Sequence, residues 1–109
     1  MKKNIFFICA TIACFAFTSD KSDITCTATW YDTSGHPKVH RDHSTAAFNL
    51  YSKGTFLVVT NLSNNKIDTV EVTDRHGLSN SHIDLSKDSF KKIANIREGR
   101  IKVSVKKIN

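Results

Sequence analysis

Two carboxylates are placed where acid–base chemistry is possible. Asp74 lies in Val70-Glu71-Val72-Thr73-Asp74-Arg75-His76-Gly77, and Asp84 in His82-Ile83-Asp84-Leu85-Ser86. In an extended strand Val70, Val72 and Asp74 share one face, while Thr69, Glu71 and Thr73 share the other. Asp74 is therefore expected at the rim of an apolar interior, where lost hydration favours the protonated carboxyl that a general acid needs. The competing reading is a turn, because Asp and Gly are common turn residues and Arg75 could neutralise the charge. Asp84 likewise has two readings, a second acid of the site or an acceptor for backbone amides at a helix start. His76 adds an imidazole beside Asp74, either as a proton handler or as an exposed loop residue.

The elements that must hold these groups are short. Thr25 to Tyr31 is rich in threonine and aromatic residues and predicts a strand; parity sends Trp30 and Tyr31 to opposite sides, so one of them is expected in the core, with Tyr31 favoured as the outward ring. Residues 32 to 44 carry Gly35, Pro37, His36, His40 and His43 and read as a long loop. Three imidazoles at such spacing could share zinc, but an irregular loop does not hold them on one face, and no metal or other cofactor is expected. Thr45 to Phe48 is short and apolar, and Phe56 to Val59 predicts a strand buried on both faces. Asn61 to Asn65 turns the chain into Ile67 to Asp74, making a hairpin. Ser86 can cap a short helix with Phe90, Ile93 and Ala94 on one face. Ile101, Val103 and Val105 alternate with Lys102, Ser104 and Lys106 in a closing strand. Short strands with one small helix favour a compact β-barrel.

At 109 residues the chain has room for one domain with one small core. Residues 1–19 read as a signal peptide, with Lys2 and Lys3 ahead of an apolar run from Ile5 to Phe17; residues 20–24 are a polar leader, and the domain is expected over 25–109. The run is too short for a comfortable membrane span, so a secreted or periplasmic protein is expected, with lipidation at Cys14 as the alternative. Removal of Cys9 and Cys14 would leave Cys26 without an intramolecular partner, as a small buried thiol in a strand. The formal charge is +6, with Lys91, Lys92, Arg97, Arg100, Lys102, Lys106 and Lys107 late in the chain. These suit an anionic wall or solubility; nucleic acid is not expected, because no aromatic stacking platform accompanies them.

Five fragments in order carry a resemblance. Thr27-Ala28-Thr29-Trp30-Tyr31, Ser44-Thr45-Ala46-Ala47, Lys53-Gly54-Thr55 with Val58-Val59-Thr60-Asn61-Leu62, Val72-Thr73-Asp74-Arg75 and Ile83-Asp84-Leu85-Ser86 resemble the rare-lipoprotein-A-like (RlpA-like) domains. The resemblance implies an all-β fold, a small six-stranded double-psi β-barrel with one short helix, related to barwin and expansin domains. It also implies a peptidoglycan lytic transglycosylase, in which Asp74 protonates the glycosidic oxygen and then accepts the proton of the muramyl C6 hydroxyl, with Asp84 as the second acid. Tyr31, Thr45, Phe48 and Arg75 are expected along the substrate groove. Where the family pattern reads Thr-Ala-Ala-His this chain has Phe48, and where it reads Asp-Arg-Gly-Pro this chain has His76-Gly77 after Arg75. His76 is then a candidate replacement for the missing imidazole. The expected partner is peptidoglycan or another wall glycan, met by a monomer; the alternatives are a noncatalytic expansin-like wall binder and a proteinase-inhibitor-like protein-binding barrel.

Overall fold

The computed structural model describes residues 23–33 and 43–108. The expected signal segment, Cys9, Cys14, His36 and His40 lie outside the described residues.

Six strands form the wall: β1 (Ile24–Tyr31), β2 (Thr45–Phe48), β3 (Phe56–Asn61), β4 (Ile67–Asp74), β5 (His82–Ser86) and β6 (Ile101–Ile108). They close in the order β1-β5-β2-β4-β3-β6, with β6 returning onto β1. The β1–β5 and β2–β4 pairs are parallel, and the other four pairs are antiparallel. Two parallel pairs require two crossover connections, so the chain passes across the barrel ends instead of running as a simple meander. Closure also gives every one of these strands a neighbour on both sides.

Alternation builds the interior. Cys26 and Ala28, Leu57 and Val59, Val70 and Val72, Ile83 and Leu85, and Val103 and Val105 all point inward and are buried. Each buried aliphatic side chain of valine or leucine size contributes about 1.5–3 kcal/mol. The double burial expected for Phe56 to Val59 is not found: Phe56 is 43% exposed while Leu57 and Val59 are fully buried. A small closed barrel has one interior, so the outward face of β3 meets solvent. Burial pushes the Cys26 thiol up from its ordinary value, against a smaller opposite pull from Lys102, as befits a core thiol and not a nucleophile.

The β3–β4 hairpin turns at Asn61 to Asn65. Asn61 Oδ1 accepts the Ser63 N–H at 3.0 Å, and Asn65 takes a left-handed conformation with φ 64°. The helix α1 (Lys87–Ile93) starts on Ser86, whose Oγ accepts the Ser89 N–H at 3.3 Å. Its buried face, Ser89, Phe90 and Ile93, packs on β4, β5 and β1. A 3₁₀ turn, Ile96–Glu98, follows, and the indole N–H of Trp30 donates to the Ile96 carbonyl at 3.2 Å. Trp30 thus packs against the core, which leaves Tyr31 to the outer wall.

Candidate functional site

The outer face of β4, β2, β5 and β1 assembles the acids. Thr45 stands opposite Glu71 and Ala46 opposite Val72, but Ala47 stands opposite Asp74, so Thr73 is one extra residue on β4. Such a bulge reverses the parity of the residues beyond it. The face shared with Val70 and Val72, expected for Asp74, is therefore not the one it takes; it leaves that face and is exposed. On its other side Ala47 stands opposite Asp84, and Asp84 stands opposite Thr29. Asp74, Ala47, Asp84 and Thr29 therefore form one row across four strands. At the usual strand spacing the backbones of the two acids are roughly 10 Å apart, with only an alanine methyl between them.

Each acid has different partners. Asp74 Oδ1 accepts the backbone N–H of Arg75 at 2.8 Å, while the Arg75 guanidinium turns away and donates to the Asn49 carbonyl at 3.2 Å. The neutralisation that the sequence allows is replaced by a backbone bond. Asp84 is half-buried, and its Oδ1 accepts the Thr29 hydroxyl at 2.9 Å. The Thr29 oxygen also lies 2.7 Å from His82 Nε2.

His76 does not stand free beside Asp74. The Leu78 N–H donates to its Nδ1 at 3.0 Å, so the ring proton sits on Nε2, which donates to the His82 carbonyl at 2.7 Å. Both ring nitrogens are committed to backbone, and the expected proton-handling role is not supported. Asn49 holds the same segment: its Oδ1 accepts the His76 N–H at 3.0 Å, and its amide donates to the carbonyls of His76 and Leu78 at 3.0 and 3.1 Å.

Of the expected groove residues, Phe48 is fully buried, its ring 5.9 Å from that of Tyr51. It faces the core because it follows Ala47 on a short strand, and it cannot touch a substrate. Thr45 is also fully buried, and its hydroxyl lies 3.1 Å from that of Tyr31. Thr45 therefore positions Tyr31 instead of meeting a ligand. Tyr31 and Arg75 remain accessible on the acid face and beside it. His43 Nε2 lies 2.7 Å from Glu71 Oε1, in the row next to the acids. Lys92 Nζ is held by Ser44 Oγ at 3.2 Å, with Asp68 at 3.8 Å.

Thr29, His82 and Asn49 join the site without any signal of their own in the sequence. Thr29 and His82 sit two residues from Tyr31 and Asp84 on their strands, but only the parallel register of β1 against β5 brings them together. Burial pushes the His82 imidazole below its ordinary value; His76 and Arg100 act in the same direction and Asp84 against it. Among the described residues no group of three or more His, Cys, Asp or Glu side chains is arranged to hold a metal, and no helix is long and apolar enough to cross a membrane.

Comparison with known proteins agrees with this architecture. The family model described as lytic transglycolase matches residues 23–105. An uncharacterised protein of Synechocystis sp. is 44% identical over 55 residues, which is 50% of this chain and 58% of that protein. A mutant expansin of Clavibacter michiganensis, solved in complex with cellohexaose, superposes with a TM-score of 0.69 at 26% identity, covering 81% of this chain and 51% of the expansin. A Streptomyces papain inhibitor superposes with a TM-score of 0.64 at 20% identity over 81% of this chain and 96% of the inhibitor, a likeness of fold alone. The chain thus spans little more than half of the cyanobacterial relative and about half of the expansin. From its closed six-stranded wall and a match over nearly all its described residues, the chain belongs to the lytic transglycolase family of double-psi β-barrel domains.

Proposed function

We propose that this chain acts on wall glycan outside the cytoplasm, as a monomer whose outer face carries Asp74, Asp84 and Tyr31, and that Asp74 is the acid and base of a lytic cleavage. The observation that carries this reading is the bulge at Thr73, which takes Asp74 off the desolvated rim expected of it and sets it instead, exposed and within reach of a ligand, in register with Ala47 and Asp84. A glycan strand laid along that row meets a carboxyl on each side of a small residue, and Tyr31 offers a ring for stacking on a pyranose. The bond changes balance on one carboxyl. Asp74 gives its proton to the glycosidic oxygen as the C1–O4 bond breaks, the muramyl C6 oxygen bonds to C1, and the C6 hydroxyl proton passes to Asp74. No water is consumed, and the product ends in a 1,6-anhydro ring. The expansin that superposes on this chain was solved with an oligosaccharide, which supports a glycan as the ligand class.

A second reading, glycan binding without cleavage, is favoured by Phe48. It stands where the family pattern has a histidine, and it is sealed in the core. Digestion of purified sacculi by the full chain, followed by mass analysis of soluble products, separates the two. Anhydro-ended fragments that disappear in Asp74→Asn establish cleavage. Sacculus binding without soluble product, retained in Asp74→Asn, establishes the binder and removes the catalytic role of Asp74.

A further inference from the structure

The geometry points to His82 as a positioning residue for the acid face, acting on Asp84 through the hydroxyl of Thr29. This rests on the reading of Asp84 as part of a glycan-engaging row, and it assigns a task to a residue that reading leaves unused. Donors and acceptors fix the direction. Thr29 Oγ1 carries one hydrogen, and it donates that hydrogen to Asp84 Oδ1 at 2.9 Å. At 2.7 Å the same oxygen can then only accept from His82 Nε2, so the imidazole proton sits on Nε2. The chain runs one way, from His82 Nε2–H to Thr29 Oγ1 and from Thr29 O–H to Asp84 Oδ1. A hydroxyl that accepts from a ring N–H is polarised toward donation, which strengthens its bond to the carboxylate.

The scaffold holds this direction. The parallel register sets Thr27 opposite His82 and Thr29 opposite Asp84, so His82 and Asp84 follow one another on the outer face of β5 with Thr29 beside them. His82 is only 8% exposed, and its ring meets that of His76 edge-on at a centroid distance of 5.4 Å. His76 in turn donates to the His82 carbonyl, so the backbone that carries the imidazole is held as well. One carboxylate oxygen of Asp84 is thereby occupied from the β1 side. That bond restrains the rotation of the carboxylate, and Oδ2 is the oxygen left for a sugar hydroxyl.

The test combines a spectroscopic readout with binding. In the full chain uniformly labelled with ¹³C and ¹⁵N, the His82 ring is expected as the Nε2–H form, and Thr29→Val is expected to shift both its Nε2 resonance and the Asp84 carboxyl carbon. Thr29→Val, which removes the hydrogen bond to the Asp84 carboxylate, is expected to weaken sacculus binding about tenfold, and His82→Phe, which removes the neutral bond to the Thr29 hydroxyl, about fivefold. His82→Gln, whose amide nitrogen replaces Nε2, and Thr29→Ser are expected to stay within about twofold of the parent. An Nδ1–H ring, or an Asp84 carboxyl signal indifferent to Thr29→Val, overturns the inference whatever the glycan does. If Asp84→Asn loses binding while folded His82→Phe and Thr29→Val do not, His82 has no positioning role and the glycan reading stands. If Asp84→Asn binds as the parent does, the reading of the acid face itself fails.

Discussion

Asp74 and Asp84 stand opposite the same residue, Ala47, from strands on either side of it. The pair is a product of barrel closure and of one inserted residue on β4. A regular β4 would set Thr73 against Ala47 and turn Asp74 toward Phe48 and the core. Stability would then favour an apolar residue at position 74, since an unpaired buried carboxylate is costly.

The row can be probed at its centre. Ala47 is 7% exposed, and Ala47→Leu puts a bulkier side chain between the two carboxyls. Sacculus binding is expected to fall at least tenfold in a pull-down assay, with a stability loss of about 1–3 kcal/mol in a urea titration. Unchanged binding would mean that the ligand does not cross Ala47.

Restoring the family histidine is expected to fail. Phe48 is fully buried with the Tyr51 ring 5.9 Å away, so Phe48→His puts a polar imidazole in place of a core ring. A loss of about 3 kcal/mol is expected from lost apolar burial and an unsatisfied ring nitrogen. Thermal unfolding measures the loss, and no gain in anhydro product is expected from sacculi.

Asn49 ties the segment after Asp74 to β2 through three bonds to the backbone of His76 and Leu78. Asn49→Ala is expected to cost about 2 kcal/mol, because the His76 N–H and two carbonyls lose their partner together. Hydrogen exchange at residues 76 to 78 should accelerate well before exchange in the β3–β4 hairpin does, as local opening precedes global unfolding.

His82 gives stability a pH dependence with a definite sign. Its folded value is lowered from 6.5, so the unfolded chain binds more protons in the window just below that value. The contribution of His82 is fully present above about pH 6.5 and is lost as pH falls through the lower folded value. Urea midpoints measured from about pH 7.5 downward should decline for the parent more steeply than for His82→Gln. Equal slopes would show that the imidazole is not desolvated in the folded barrel.

The local elements are legible in the sequence because each is carried by short-range chemistry. Ser86 caps α1, Asn61 to Asn65 turn the hairpin, and the alternation of Ile101, Val103 and Val105 makes β6 with one wet face. The order of fragments also leads to the six-stranded barrel and to the family. The double burial expected of β3 fails because a run such as Phe56 to Val59 looks alike in a parallel sheet and in a barrel wall, where Phe56 and Val58 turn outward.

The site is legible only in part. Asp74 and Asp84 stand out as residues, but the face of Asp74 follows a parity that holds only in a strand with no extra residue. Phe48 and Thr45, expected in the groove, are both sealed, and His76 is held by backbone. Composition, alternation, caps and turns are encoded over a few neighbouring positions, so this chain determined them by itself. The shared row of Asp74 and Asp84 and the His82–Thr29–Asp84 chain depend on strand register between residues distant in sequence. Register is set by closing the whole barrel around its core, and no local pattern contains it.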